Sequence, residues 1–589
     1  MSPDGKNRCE VTCKGLGLTT NRGKRLLSDL DIQLEPGSLN LIIGPSGSGK
    51  TMLLDCISGR IPTNLSLEGA IKINGKDRNI ETWPKLVVYL KQNFPAYEWQ
   101  TVWETLAFAV KIKSDKQENL KEKVESLLVL LGLTNARNTY IGNLSGGEKV
   151  RVSLGIEITG DPQIILLDEP ISGLDSNNAM RILEIMRNIA DMGKTILVTV
   201  HQPSYKMISM FDRVSIVTNG RLVYSGSIEN SIDFFRGCGY ELPKNTNPTD
   251  YFLDILTYEC DTEELRSESE NRINSIKHRY DETKPETKYN FTDTIKVPRR
   301  AEWRSAFNLI ISRAFVNIFR DKTLLRVKAL QRITIGLAFS LCFLQLGVEN
   351  ANAFSFRGAI FFFIINELFG NSAPILNTFG DEKQVILRER MSGFYSGYQA
   401  YFSKVISEVL LTYIYAIPYT LCVYYIIGFD PNFGRFMIFL LIILSFVILA
   451  ISYGLAISII TPNKAGAQVL GVTINVFFTL YSGALSVPST IPVWLRWLRW
   501  ISPLYYIFAA LCKNQLNGKP STAGLSGASS QTVDGEATLA VFEVNSLSIT
   551  ANIFVILGFA LLFQTIGSIA LHYKTRNNLK LTKKNNPTV

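Results

Sequence analysis

Hydrophobic and polar positions follow two different patterns along the chain. Up to about residue 257, apolar runs of four or five residues alternate with charged and turn-forming stretches, as in a soluble α/β domain. Residues 39–43, 68–74, 87–90, 164–167 and 195–200 read as strands, and 51–57 as a helix. Residues 258–300 are dense in charge, including Glu263, Glu264, Arg266, Glu268, Glu270 and Arg272, and read as a mobile linker with room for a short helix. In 303–319 the apolar residues Trp303, Phe307, Ile310, Ile311, Ala314, Phe315 and Ile318 recur at helical spacing between arginines, the pattern of an amphipathic helix on a membrane surface. From about Leu330 the apolar runs become long. A span needs roughly twenty apolar residues to cross a hydrocarbon core of about 30 Å. Six spans are expected, centred near Leu337, Phe363, Tyr415, Leu444, Phe477 and Phe559.

The expected organisation is therefore an α/β domain (1–257), a linker (258–300), an amphipathic helix (301–322) and an all-α six-span membrane domain (323–575). A long external loop lies at 488–550 and a basic tail at 576–589. A chain of 589 residues is in any case too long for a single core. Net charge is +10, but much of the basic excess flanks the apolar runs or sits in the tail at Lys574, Arg576, Lys580, Lys583 and Lys584. That placement marks a cytoplasmic membrane face rather than nucleic-acid binding. An even number of spans returns the C-terminus to the cytosol. The charged stretch from Asp381-Glu382-Lys383 to Arg388-Glu389-Arg390 then falls inside, while the short connections near Glu349 and Asp430 are poor in Lys and Arg. The N-terminus shows no apolar signal-peptide core and is expected to begin in the cytosol.

In the external loop, Trp494, Trp497 and Trp500 suit an interfacial, re-entrant helix. Its single cysteine, Cys512, allows no disulfide within the loop, and the loop contains no N-x-[ST] acceptor. Elsewhere the cysteines are scattered without a CxxC pair, and Cys9 and Cys13 read as ordinary thiols in a reducing compartment.

The chemistry sits in the first half. Gly44-Pro45-Ser46-Gly47-Ser48-Gly49-Lys50-Thr51 matches G-x-x-x-x-G-K-[ST] between a strand and a helix. Its glycines let backbone N–H groups turn inward on phosphates, Lys50 reaches the β- and γ-phosphates, and Thr51 holds Mg²⁺. Ser145-Gly146-Gly147 opens a helix and makes a second anion-binding nest. Asp168 and Glu169 emerge at the C-terminal end of an apolar strand, where ligands of α/β sheets sit. There Asp168 supports Mg²⁺ and Glu169 polarises the attacking water. Ser172-Gly173-Leu174-Asp175 follows at once, and a further strand delivers His201, one of only three histidines, in register for a γ-phosphate.

This ordered set, together with Gln92, resembles the ATP-binding cassette family over the first 260 or so residues. The resemblance implies a P-loop ATPase cassette that pairs head to tail with a second one. ATP is then sandwiched between the phosphate loop of one cassette and Ser145-Gly146-Gly147 of the other. It also implies that Gln92 senses Mg²⁺ and couples to the membrane part, that Asp175 acts across the dimer, and that His201 contacts the γ-phosphate. One departure is the lack of any Phe, Tyr, Trp or His between Val11 and Leu41, where the family usually stacks an aromatic on adenine.

Asn247-Pro248-Thr249-Asp250-Tyr251-Phe252-Leu253-Asp254 is similar to a motif of the G subfamily, in which the cassette precedes the membrane domain. Ser482-Gly483, the tryptophan-rich run, Ser502-Pro503-Leu504-Tyr505-Tyr506 and Glu389-Arg390 extend that resemblance over nearly the whole chain. It implies a half-transporter working as a dimer, with the amphipathic helix and the loop near Glu382 transmitting cassette closure. Spans two and five line a central apolar slot, for which Asn366, Phe369, Val476, Thr479 and Leu485 are the candidate residues. A lipid, sterol or amphipathic small molecule is the expected cargo, and the plasma membrane the expected location. Two alternatives are an ATP-binding regulatory half of a heterodimer and a membrane-anchored GTPase; the second lacks Leu144-Ser145-Gly146-Gly147-Glu148 and His201.

Overall fold

A computed structural model describes residues 9–577 except 63, 80–81, 93, 114–118, 245, 259–261, 285–301, 347–352, 487, 519, 523–531 and 545–546. The chain divides into two units. One comprises residues 1–306 with 388–395 and 575–589, the other 307–387 with 396–574.

The first unit holds two sheets. Strands β1 (Val11–Thr20), β2 (Arg25–Leu34), β4 (Leu65–Ile73) and β5 (Lys76–Asp77) form an antiparallel sheet in the order β2-β1-β4-β5. The second has the order β10-β9-β3-β8-β7-β6 and comprises β3 (Leu39–Ile43), β6 (Val87–Leu90), β7 (Ile164–Asp168), β8 (Thr195–Thr199), β9 (Arg213–Thr218) and β10 (Arg221–Gly226). It is parallel throughout except for β10 on β9. Every residue of β3, β6, β7 and β8 is buried. Uninterrupted apolar runs are what a parallel sheet covered on both faces requires. Helices α1 (Lys50–Ser58), α2 (Val102–Lys113), α3 (Gly146–Ile158) and α4 (Ser176–Asp191) accompany it.

The charged linker is more ordered than expected. Helix α5 (Glu263–Thr283) occupies 21 of its residues, capped by the Thr262 hydroxyl, with Ile273, Ile276 and Tyr280 buried along one side. Three apolar residues at i, i+3 and i+7 suffice to dock an otherwise charged helix. Helix α6 (Trp303–Arg320) follows at the expected amphipathic segment.

The second unit is helical. Among the described residues, four segments are long and apolar enough to cross a membrane: Ser355–Met391 within α8 (Ala353–Met391), α9 (Gly397–Ile427), α10 (Phe433–Ile460) and Ile549–Lys574 within α13 (Ile549–Asn577). The two remaining expected spans are also helices. In α7 (Lys322–Cys342) the first half carries Lys322, Arg326, Lys328 and Arg332, and α11 (Lys464–Leu480) is only 17 residues long. The expected long external loop is not a loop throughout. It contains α12 (Pro503–Leu516), 14 residues that are all buried, some against the aromatic core of α10. A 14-residue apolar stretch is too short to register as a span and apolar enough to be interior. The Trp494–Trp497–Trp500 segment is a 3₁₀ helix, Val493–Ile501, with its three tryptophan rings exposed.

Candidate active site

The phosphate loop runs from the end of β3 into α1. Gly44 has no room for a side chain, since a Cβ there would lie 2.0 Å from the Val217 carbonyl oxygen. Gly47 and Gly49 have φ of 78° and 102°, a region that favours glycine. The Lys50 ammonium folds over the loop and donates to the carbonyls of Gly44 at 2.6 Å and Pro45 at 3.0 Å. Burial, the largest influence, pushes it below its ordinary pKa of 10.5, while Glu169 and Asp168 pull it back. The Ser48 hydroxyl is buried without a partner, and Thr51, one residue beyond Lys50, is exposed.

Asp168 ends β7 opposite Thr199 of β8. The Thr199 hydroxyl donates to Asp168 Oδ1 at 2.8 Å and accepts the Glu169 backbone N–H at 2.9 Å. Tyr89 of β6 donates its hydroxyl to Asp168 Oδ2 at 3.3 Å. Glu169 itself adopts φ 50°, a left-handed conformation uncommon for a non-glycine residue and often found at functional sites. Its Oε2 accepts from Gln92 Nε2 at 3.4 Å. Lys50, Asp168, Glu169 and Gln92 thus converge, and Thr199 and Tyr89 are positioning residues that the sequence reading did not single out. His201 stands exposed just beyond β8.

Ser145 caps α3 in a reciprocal capping box with Glu148. The Glu148 carboxylate, held by the Ser145 backbone N–H at 2.9 Å and its hydroxyl at 2.8 Å, lies below the usual carboxylate range. Ser145 and Gly146 are exposed and Gly147 is buried, with Asn178 3.3 Å from where its Cβ would stand. Asp175 precedes α4 as its N-cap and is also exposed.

Among the described residues no cluster of three or more His, Cys, Asp or Glu could hold a metal ion by itself. A Mg²⁺ bound by one or two protein oxygens and completed by phosphates fits the set Thr51, Gln92 and Asp168.

Residues 388–395 belong to the same unit as the cassette, although they lie far along the chain. Arg388 donates to the Pro95 carbonyl and stacks 3.9 Å over the Phe94 ring. The Ser392 hydroxyl donates to Glu157 Oε1 at 3.1 Å, and Lys113 pairs with the other Glu157 oxygen at 3.4 Å.

The candidate slot residues lie on α8, on α11 and in the segment that follows it. Asn366 turns toward α9 and donates to the Tyr419 hydroxyl at 2.6 Å. Phe369 is half-buried, and the Thr479 hydroxyl bonds back to the Asn475 carbonyl within α11. Val476 and Leu485 are about half exposed. Helices α8 and α11 do meet, through Asn475 and Ser372 at 3.2 Å. Next to Leu485, the carbonyls of Gly483 and Ala484 accept from Arg357 of α8.

The ABC transporter family profile matches residues 27–172, and two ABC-2 type transporter profiles match 305–516 and 201–272. The chain is 28% identical to the broad substrate specificity ATP-binding cassette transporter ABCG2 of Mus musculus, over 85% of this chain and 82% of that protein. It is 26% identical to ABC transporter G family member 7 of Arabidopsis thaliana, over 86% of this chain and 73% of that protein. It is 27% identical to protein white of Drosophila melanogaster, over 84% and 74% respectively.

Proposed function

We propose that the chain is a G-type ABC half-transporter, with an ABC ATPase cassette and an ABC-2 membrane domain, that exports or flips a lipid, sterol or amphipathic small molecule as a dimer of two such halves. The observation that carries the proposal is the convergence of Lys50, Asp168, Glu169 and Gln92 at the sheet's C-terminal edge. A protein that only binds nucleotide has no need of a carboxylate held in a left-handed conformation beside Gln92.

ATP is bound and hydrolysed by the cassette. In the proposed cycle the Gly44–Thr51 loop cradles the phosphates with its N–H groups, and Lys50 exchanges its carbonyl partners for phosphate oxygens. Thr51, Asp168 and Gln92 would hold Mg²⁺, which would supply charge neutralisation on the phosphates. Glu169 takes the proton of the attacking water, and His201 contacts the γ-phosphate. The exposed Ser145 and Gly146 face the nucleotide of the second cassette, with Asp175 at the same junction. Residues 388–395 and α6 carry the closing motion to the membrane helices. Asn366, Phe369, Val476, Thr479 and Leu485 line the cargo path once two halves pair. Both termini are cytosolic and the membrane is the plasma membrane.

The purified chain in lipid nanodiscs tests this. Mg²⁺-dependent ATP hydrolysis that is abolished in Glu169→Gln and altered by a sterol, phospholipid or amphipathic drug supports the homodimeric pump. A folded chain without turnover supports the other reading, the regulatory half of a heterodimer.

A further inference from the structure

The nest at the start of α3 is filled by the chain's own carboxylate. Glu148 folds back over the helix end, and its Oε2 accepts both the Ser145 backbone N–H at 2.9 Å and the Ser145 hydroxyl at 2.8 Å. These are the donors that a phosphate oxygen arriving at Ser145 would use. The positive end of the helix and two charge-assisted bonds hold the carboxylate there. The same bonds keep Glu148 below the usual carboxylate range, so it is ionised at neutral pH.

Reciprocal capping accounts for that contact but not for what lies one turn further on. Arg151 is 5% exposed, and its Nε and Nη1 are buried without a hydrogen-bond partner. A charge removed from water is costly to leave unsatisfied, so a buried guanidinium is normally paired. Residues three apart on a helix are neighbours, with about 5–6 Å between their Cβ atoms. Arg151 is therefore within reach of Glu148, and the exposed Arg181 of α4 adds a second positive charge nearby. The Glu148 carboxylate thus has two stations: the Ser145 donors, which it occupies, and the Arg151 guanidinium, which lacks a partner.

We propose that Glu148 is a displaceable anion: the γ-phosphate of the second cassette's ATP takes the Ser145 donors from it, and the freed carboxylate passes to Arg151. This rests on the reading that Ser145 faces the nucleotide of a second cassette. Glu148 then sets the ATP concentration at which two cassettes pair. A nucleoside diphosphate has no γ-phosphate and leaves Glu148 in place, so the exchange also separates ATP from ADP.

The test uses the full-length chain in lipid nanodiscs, with Glu169→Gln throughout so that bound ATP is not consumed. Two quantities are read. One is the Mg²⁺-ATP concentration at which half of the chains retain radiolabelled ATP after rapid dilution. The other is the affinity for ADP, which reports the phosphate loop alone. Glu148→Gln keeps an acceptor oxygen for the cap but removes its charge, and neutral bonds are about half as strong as charge-assisted ones. It should lower the half-retention concentration of ATP about three- to tenfold, the value of one hydrogen bond. Arg151→Met removes the receiving cation and should raise that concentration by a similar factor, yet have little effect once Glu148→Gln is present. ADP affinity should stay the same in all of them. An unchanged or raised concentration in Glu148→Gln, or an Arg151→Met effect of equal size in both backgrounds, overturns the proposal and leaves the paired-cassette reading standing. Equal shifts for ADP and ATP also overturn it, because they place the effect in the phosphate loop or the fold. ATP that no variant retains, in a folded chain that binds ADP, overturns the paired-cassette reading and the proposal with it.

Discussion

Thr199 donates its hydroxyl to Asp168 across the β7–β8 pair at 2.8 Å, and the same oxygen receives the Glu169 backbone N–H at 2.9 Å. One side chain therefore orients two consecutive acidic residues. Thr199→Val removes both bonds and leaves the buried Asp168 Oδ1 without its hydroxyl donor, while the Glu169 N–H keeps only the Thr199 backbone carbonyl at 3.2 Å. A loss of about 1–3 kcal/mol in the assembled site follows. We expect kcat to fall roughly ten- to hundredfold, with the Mg²⁺ activation curve moved to higher concentration and the KM for ATP little changed. Thr199→Ser keeps the hydroxyl and is expected to restore most of the rate. Equal defects in the two variants would show that Thr199 acts only through packing.

Lys50 gives the site a pH dependence. Burial lowers its pKa below the ordinary 10.5 in the free protein, and phosphate oxygens raise it again on binding. Binding is then coupled to protonation of Lys50. Affinity is at its full value below the lowered pKa and declines as pH rises through it, so KM for ATP should climb on the alkaline side before an unperturbed lysine would titrate. Equilibrium ATP binding measured from pH 7 to 10.5 checks this, with Lys50→Met expected to bind weakly and without that slope.

Glu157, whose side chain is 3% exposed, is paired with Lys113 and bonded by Ser392. Replacing it by Leu leaves the Lys113 ammonium bonded to the Ile156 and Glu157 carbonyls but without its carboxylate, at a cost of up to about 3–5 kcal/mol. The double variant Glu157→Leu, Lys113→Met removes both charges and should recover most of that loss. Thermal unfolding of the single and double variants distinguishes a buried charge penalty from a general packing defect.

Gly44 and Gly47 separate two roles of glycine in the phosphate loop. A Cβ at Gly44 meets the Val217 backbone at 2.0 Å, which cannot swing aside, whereas at Gly47 nothing lies within 4 Å and only the positive φ opposes substitution. Gly44→Ala should therefore lower Tm markedly more than Gly47→Ala. The reverse order would mean that backbone strain, not crowding, governs the loop.

The candidate site residues were legible because motif spacing places them at strand ends and helix starts. Lys50, Asp168, Glu169 and Gln92 come together as their order implied. Thr199 and Tyr89 were not legible, since a hydroxyl within a strand gains its role only from the neighbour that strand pairs with. Helix α12 escaped because 14 apolar residues fall below spanning length, and the length of α5 was underestimated because its three apolar positions are hidden among charges. Asn366, read as a slot residue, bonds Tyr419 of α9 within the chain. Which helix packs beside which is a tertiary property, and hydropathy along the chain does not encode it.

Coupling of ATP hydrolysis to movement across the bilayer is the central claim, and reconstituted proteoliposomes test it most directly. The measurement is transbilayer movement of a fluorescent phospholipid and a fluorescent sterol, with the wild-type chain and Glu169→Gln side by side. The account predicts that at least one probe moves to the leaflet opposite the cassettes only with ATP and Mg²⁺, and that Glu169→Gln abolishes sustained movement while still binding ATP. Movement that is equal with and without ATP, or unaffected by Glu169→Gln, would contradict it.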